Sequence, residues 1–79
     1  MIVEFCMPKF GQVMEEGTII KWFKKEGESI NKGEKLVEIG SDKASFELES
    51  DITGKINQIL IKEDETVAIN TVLATIQVD

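Results

Sequence analysis

"GTIIKWFKKEGESINKGEKLVEIGSD", residues 17–42, is matched without a gap by "GKINQILIKEDETVAINTVLATIQVD", residues 54–79, thirty-seven positions later. Eight pairs are identical: Gly17/Gly54, Ile19/Ile56, Lys25/Lys62, Glu26/Glu63, Glu28/Glu65, Leu36/Leu73, Ile39/Ile76 and Asp42/Asp79. Trp22/Ile59, Phe23/Leu60, Ser29/Thr66 and Ile30/Val67 match in kind. Gly33/Asn70 pairs two residue types that tolerate positive φ. Chance gives about one or two identities over such a window, so the chain is an internal repeat; two copies make a pseudo-symmetric domain and not a solenoid.

Each half carries the same plan. An apolar strand (residues 18–24 or 55–61) leads to a polar turn, Lys25-Glu26-Gly27-Glu28 or Lys62-Glu63-Asp64-Glu65. A short strand follows at Ser29-Ile30 or Thr66-Val67, then a turn at residues 32–34 or 69–71, then a last strand at 36–39 or 72–77. An extra strand runs from Ile2 to Cys6. The element Ser45–Ser50 alternates, with Phe46 and Leu48 facing in and Glu47 and Glu49 facing out. In the long strands alternation fails: Ile19 and Phe23 share one face, Ile20 and Trp22 the other, which predicts a bulge in a small closed sheet. No stretch keeps helical apolar spacing for ten residues. The residues therefore predict one compact, flattened β domain with little room for a deep pocket.

The first repeat ends in "EIGSDKASFELE", residues 38–49, where Lys43 stands among Gly40, Ser41, Asp42, Ala44 and Ser45 between two strands. A lysine on a solvated face needs no such clearing of bulk; one that another protein must reach does. The symmetry mate of Lys43 would lie one residue past position 79. A two-fold axis between the halves therefore puts Lys43 at one end of the domain and both termini at the other.

Composition excludes several functions. Fifteen carboxylates stand against nine basic residues, giving a net charge of −6, which argues against nucleic acid and anionic membranes as partners. Histidine is absent, so Ser–His and Cys–His nucleophile systems cannot form. No catalytic residue and no metal ligand set is assigned. The lone Cys6 has no intrachain partner and is expected to be buried packing. Trp22 is expected in the core or at the barrel rim, and Glu63-Asp64-Glu65 as a solvated turn, since calcium needs six to eight converging oxygens. There is no run of about twenty apolar residues and no signal-peptide pattern.

The chain resembles the lipoyl domains of 2-oxo acid dehydrogenase complexes, the swinging-arm modules of dihydrolipoamide acyltransferases (E2). "SDKAS" is similar to the family's T-D-K-A turn, and "MPKFGQVMEEGTIIKW" (residues 7–22) to its M-P-K-x-G-x-x-M-x-E-G-x-I-x-x-W segment. "KKEGESINKGEKLVEI" is similar to its K-x-G-D-x-V-x-K-G-D-x-L-x-E-V run. The family's glycines sixteen before and eleven after the lysine fall on Gly27 and Gly54. The chain departs from the pattern at Gly40, where the family often has Glu, at Asp51, where it often has Pro, and at Glu63-Asp64-Glu65 and Ile69-Asn70.

The resemblance implies an all-β fold: a flattened barrel or sandwich of two four-stranded antiparallel sheets with pseudo-two-fold symmetry. It implies that residues 1–79 form a lipoyl carrier domain at the N-terminal end of a longer E2 chain. Lipoate would be attached to Lys43, with Asp42 and Ala44 flanking it in the turn, and Gly27 and Gly54 structural. Phe10, Gly11, Val13 and Met14, in the loop beside the turn, are candidates for partner recognition. Implied partners are the E1 dehydrogenase, the E2 catalytic core, the E3 dihydrolipoamide dehydrogenase, and lipoate ligase or the octanoyltransferase and lipoyl synthase. The complex would be that of pyruvate or acetoin, pyruvate being preferred. A monomeric domain is expected, in the bacterial cytoplasm or, in a eukaryote, the mitochondrial matrix. The alternatives are a biotin carrier, whose lysine is flanked by methionines, and an unmodified β-barrel adaptor.

Overall fold

A computed structural model describes residues 1–9, 15–41 and 44–78. Eight strands run in chain order: β1 (Ile2–Cys6), β2 (Glu16–Trp22), β3 (Ser29–Ile30), β4 (Lys35–Gly40), β5 (Ser45–Glu49), β6 (Gly54–Ile59), β7 (Thr66–Ala68) and β8 (Val72–Gln77). They form two four-stranded antiparallel sheets, ordered β1-β8-β6-β3 and β5-β4-β2-β7. The molecule measures 36 × 21 × 18 Å. Ile19, Ile30, Leu36, Val37, Ile39, Ile56, Leu73 and Ile76, with Met7, fill the space between the sheets and exclude water. They are largely β-branched residues, which suit a pleated surface.

The repeat in the sequence is a repeat in the hydrogen bonding. In β2 the register against β4 slips at Ile20, and in β6 the register against β8 slips at Asn57, thirty-seven residues on. The bulge predicted from the broken alternation is there, and it occurs twice. Gly27 N–H donates to Ile56 O at 2.8 Å and Asp64 N–H to Ile19 O at 2.6 Å; Ile56 N–H donates to Glu28 O and Ile19 N–H to Glu65 O. Positive φ occurs at Gly27, Gly33, Asp64 and Asn70, so both turns are conserved between the halves. Short polar side chains let Asp and Asn stand where the first half uses glycine.

Two strands change places. β3 belongs to the first repeat but pairs with β6, and β7 belongs to the second but pairs with β2. The strand that seemed supernumerary, β1, is the mate of β5 at an offset of forty-three: Met7 N–H donates to Thr71 O as Ser50 N–H donates to Glu34 O. At the ends of these strands, Val78 N–H donates to Met1 O at 2.8 Å, and the Met1 ammonium donates to Val78 O at 2.9 Å. The equivalent contact in the other sheet is Ser41 N–H to Ala44 O, also 2.8 Å.

Some expectations need correction. The first strand of each half begins and ends earlier, at Glu16–Trp22 and Gly54–Ile59; pairing of Glu16 and Gly17 with Ala68 and Val67, and of Gly54 with Ile30, draws in the earlier start. Ser50 lies just beyond β5, buried, its hydroxyl donating to Ile52 O at 2.6 Å. Phe46 is 39% exposed, and Cys6 is half-buried. Both sit on edge strands, where one flank of each side chain has no neighbouring strand to cover it. Trp22 is at the rim: half-buried against the core, with Nε1–H donating to Ile61 O at 2.9 Å.

Candidate functional site

Lys43 and Asp42 lie outside the described residues, as do Phe10, Gly11, Val13 and Met14. What the structure describes is the frame that holds them. β4 carries Leu36, Val37 and Ile39 buried in the core and ends at Gly40, paired with Ser45 of β5 and Thr18 of β2. One residue further, Ser41 N–H closes onto Ala44 O, so residues 42 and 43 are the two residues between the bonded pair. Ser41, Ala44 and Ser45 are exposed and small. Ser41 and Ala44, the described flanks, are thus held in register by β4 and β5.

The loop of residues 10–14 is rooted at the same end. Met7 is buried and bonds Thr71 and Asn70 through both backbone groups, while Glu15 O accepts from Ile69 N–H at 3.1 Å. β2 then starts at Glu16, opposite Ala68, and reaches Gly40 at Thr18. Hairpin and loop thus spring from neighbouring roots. β7, laid against that end of β2, passes through only Ile69, Asn70 and Thr71 into β8. β8 then extends six residues to Gln77, beside the Met1–Val78 pair. At about 3.3 Å per residue, that run separates the terminal pair from the hairpin root by most of the domain.

Gly27 and Gly54 are not at the hairpin. Gly27 bonds Ile56 of β6, and Gly54 pairs with Ile30 of β3, both at the Gln77 end. Their reasons differ. Gly27 has φ +87° with open space around it, whereas a Cβ on Gly54 would stand 2.5 Å from Gln77 O and 2.9 Å from Ile76 Cγ2. One is required by backbone conformation and the other by the close approach of β8.

The acidic turns are exposed, as expected, but they have partners that sequence reasoning missed. Glu63 Oε2 accepts from Trp22 N–H at 2.9 Å and Glu26 Oε2 from Ile59 N–H at 2.8 Å, so each half caps the last amide of the other's long strand. Glu28 and Glu65 accept from Lys25 N–H and Lys62 N–H. The identical Glu26/Glu63 and Glu28/Glu65 pairs were the available signal. Among described groups, the Asn31 amide holds the Glu34 carboxyl below its ordinary range, and Glu47, 2.9 Å away, raises Lys35. Neither is at the hairpin. Ile20, also missed, is 41% exposed and covers Gly40. What this arrangement offers chemically is presentation of a side chain.

A family model described as "biotin-requiring enzyme", covering biotin and lipoyl attachment domains, matches residues 3–76. The chain is 39% identical over 77 residues to the succinyltransferase component of a 2-oxoglutarate dehydrogenase complex from Bartonella vinsonii, covering 98% of this chain and 19% of that protein. It is 41% identical over 80 residues to a pyruvate dehydrogenase E1 component subunit beta from Rhizobium meliloti, covering 100% and 17%. It is 40% identical over 70 residues to the acetyltransferase component of the Corynebacterium glutamicum pyruvate dehydrogenase complex, covering 89% and 10%. The chain thus spans a fifth or less of these curated relatives. The solution structure of the lipoyl domain of the Azotobacter vinelandii 2-oxoglutarate dehydrogenase complex superposes with a TM-score of 0.80 at 29% identity, covering 95% of both chains.

Proposed function

This chain belongs to the biotin and lipoyl attachment family, as a lipoyl domain of the kind found in 2-oxo acid dehydrogenase complexes, whose members carry lipoate covalently on a lysine; from that premise we propose that Lys43 is the attachment site. The observation that carries this is the closed Ser41–Ala44 hairpin, small and exposed at its flanks and rooted in a buried strand. These flanks fit the group: nothing bulky among the described residues of the turn obstructs a ligase or the chain it attaches. The Asp42 carboxylate is suited to brace such a turn by bonding backbone N–H groups.

Acylation of the Lys43 amine removes its positive charge, taking the net charge from −6 to about −7. When attached, lipoate supplies a dithiolane that takes up an acyl group with electrons and returns to the disulfide by thiol–disulfide exchange. The protein's share is placement. A tethered domain raises the effective concentration of the cofactor at each active site it visits. The partners proposed are E1, the E2 catalytic core and E3, with lipoate ligase or the octanoyltransferase and lipoyl synthase installing the group. Residues 10–14, rooted beside the hairpin, are proposed to contribute to E1 recognition.

We assign the domain to a pyruvate dehydrogenase complex. The M-P-K-x-G segment favours this; the relatives include components of both pyruvate and 2-oxoglutarate dehydrogenase complexes. Expression with lipoate and a lipoate ligase should add the mass of one lipoyl group, lost in Lys43→Ala. A biotinyl adduct would support the biotin carrier instead, and no adduct the adaptor. Reductive acylation by separate pyruvate, acetoin and 2-oxoglutarate E1 enzymes then identifies the complex.

A further inference from the structure

The repeat that builds the two halves also marks where they stop being alike. Ile20 is the extra residue of the β2 bulge and is exposed. Its mate, Asn57, holds the same bulge in β6 and donates Nδ2–H to Thr75 Oγ1 at 3.0 Å. Gly40, beneath Ile20, corresponds to Gln77. At this bulge, then, the second half is polar where the first is apolar, although Met1 and Ile2 are exposed elsewhere beside the terminal pair. The fit there is close: a Cβ on Gly40 would stand 2.7 Å from Ile20 Cδ1 and 3.3 Å from Cγ1. Glycine at this position lets Ile20 lie flat across the hairpin root.

Chain length alone limits the distance to Lys43. Gly40 precedes it by three residues, so their Cα atoms are no more than about 11 Å apart. An enzyme that acylates Lys43 must close over the surrounding surface. A transient interface of roughly 600–800 Å² a side is a disc of about 14–16 Å radius, which contains Ile20. An exposed apolar side chain inside such a footprint is removed from water on docking, which stabilises the complex. E1, by contrast, meets the cofactor beyond a lysyl stem and an octanoyl-length chain, and its proposed contact is with residues 10–14, so the test below separates the two enzymes.

Building on the assignment of Lys43, we propose that Ile20, seated on Gly40, is a specificity contact for the lipoate-attaching enzyme, entering an apolar pocket beside that enzyme's lysine channel. The test is to lipoylate wild type, Ile20→Asn, Ile20→Val and Asn57→Ile with one ligase, reading rates by intact mass and folding by thermal melts. Asn is the residue the second half already carries at this bulge, so the fold tolerates it. Ile20→Asn is expected to lower kcat/KM for lipoylation about tenfold, with Ile20→Val and Asn57→Ile near wild type. If Ile20→Asn melts early, Ile20→Thr gives the same readout with a β-branched residue. Equal rates for the polar variant and wild type overturn the proposal. So does unchanged lipoylation accompanied by slower reductive acylation of the loaded Ile20→Asn domain, which would give the contact to E1. A wild-type domain that takes no lipoate overturns the Lys43 assignment itself, and this inference with it.

Discussion

Gly54→Ala and Gly27→Ala are the same chemical change at two glycines of the same sequence pattern, and the structure gives them different outcomes. At Gly54 the new methyl would stand 2.5 Å from Gln77 O, about 1 Å inside ordinary contact. That oxygen belongs to β8, pinned between β1 and β6, so relief requires moving a strand. Overpacking of this kind costs about 2–3 kcal/mol. At Gly27 there is open space, and only the φ of +87° resists a side chain, for about 1 kcal/mol. For a domain of this size each kcal/mol lowers Tm by roughly 4–8 °C. Gly54→Ala should therefore melt about 10–20 °C below wild type and Gly27→Ala about 4–8 °C below, followed by circular dichroism. Gly27→Asn should recover most of the loss, because Asp64 holds the equivalent place at φ 73°. Equal losses at Gly54 and Gly27, or no recovery with Asn, would refute the separation of steric from conformational cause.

Glu63→Ala should expose the Trp22 amide, and Glu26→Ala the Ile59 amide, each costing about 0.5–1 kcal/mol; hydrogen exchange on each variant should show faster exchange at that one site and not at its mate. The Glu34 carboxyl is held below its ordinary 4.5 chiefly by the Asn31 amide, against partial desolvation and with help from Lys24. A depressed folded pKa gives stability present above the unfolded value and lost as pH falls through the folded one. Glu34→Gln should therefore lose less stability than wild type between roughly pH 7 and pH 3, read as urea midpoints. Lysine 35 runs the other way: raised by Glu47, its contribution is present below 10.5 and lost above its folded pKa, so Glu47→Gln should flatten the alkaline limb of the same titration.

The repeat was legible because its offset never changes between residues 17 and 79, so eight identities fall in one frame. The bulge was legible for the same chain-level reason, since Ile19-Ile20 and Trp22-Phe23 cannot both obey a period of two. The kinship of β1 with β5 was not. It runs at an offset of forty-three, and only Glu4/Glu47 is identical over the two strands. Nor was the exchange of β3 and β7 readable, because strands of two and three residues carry no pattern that names a partner. Phe46 was misplaced because alternation reports which face a residue takes and is silent on whether its strand lies at an edge. At the site, the exposed small flanks were visible as composition, while the seating of Ile20 on Gly40 needed the bulge and the strand order together.

The traded strands bear on how this domain comes apart. Cut between its repeats, the molecule would be two subunits embracing, each lending the other the outermost ribbon of its sheet and the carboxylate that caps it. Neither half can melt while its twin survives, since whichever goes first leaves the other with an open flank and an unguarded amide. Unfolding should accordingly be all-or-none, with no half-molten species between the folded and unfolded chain.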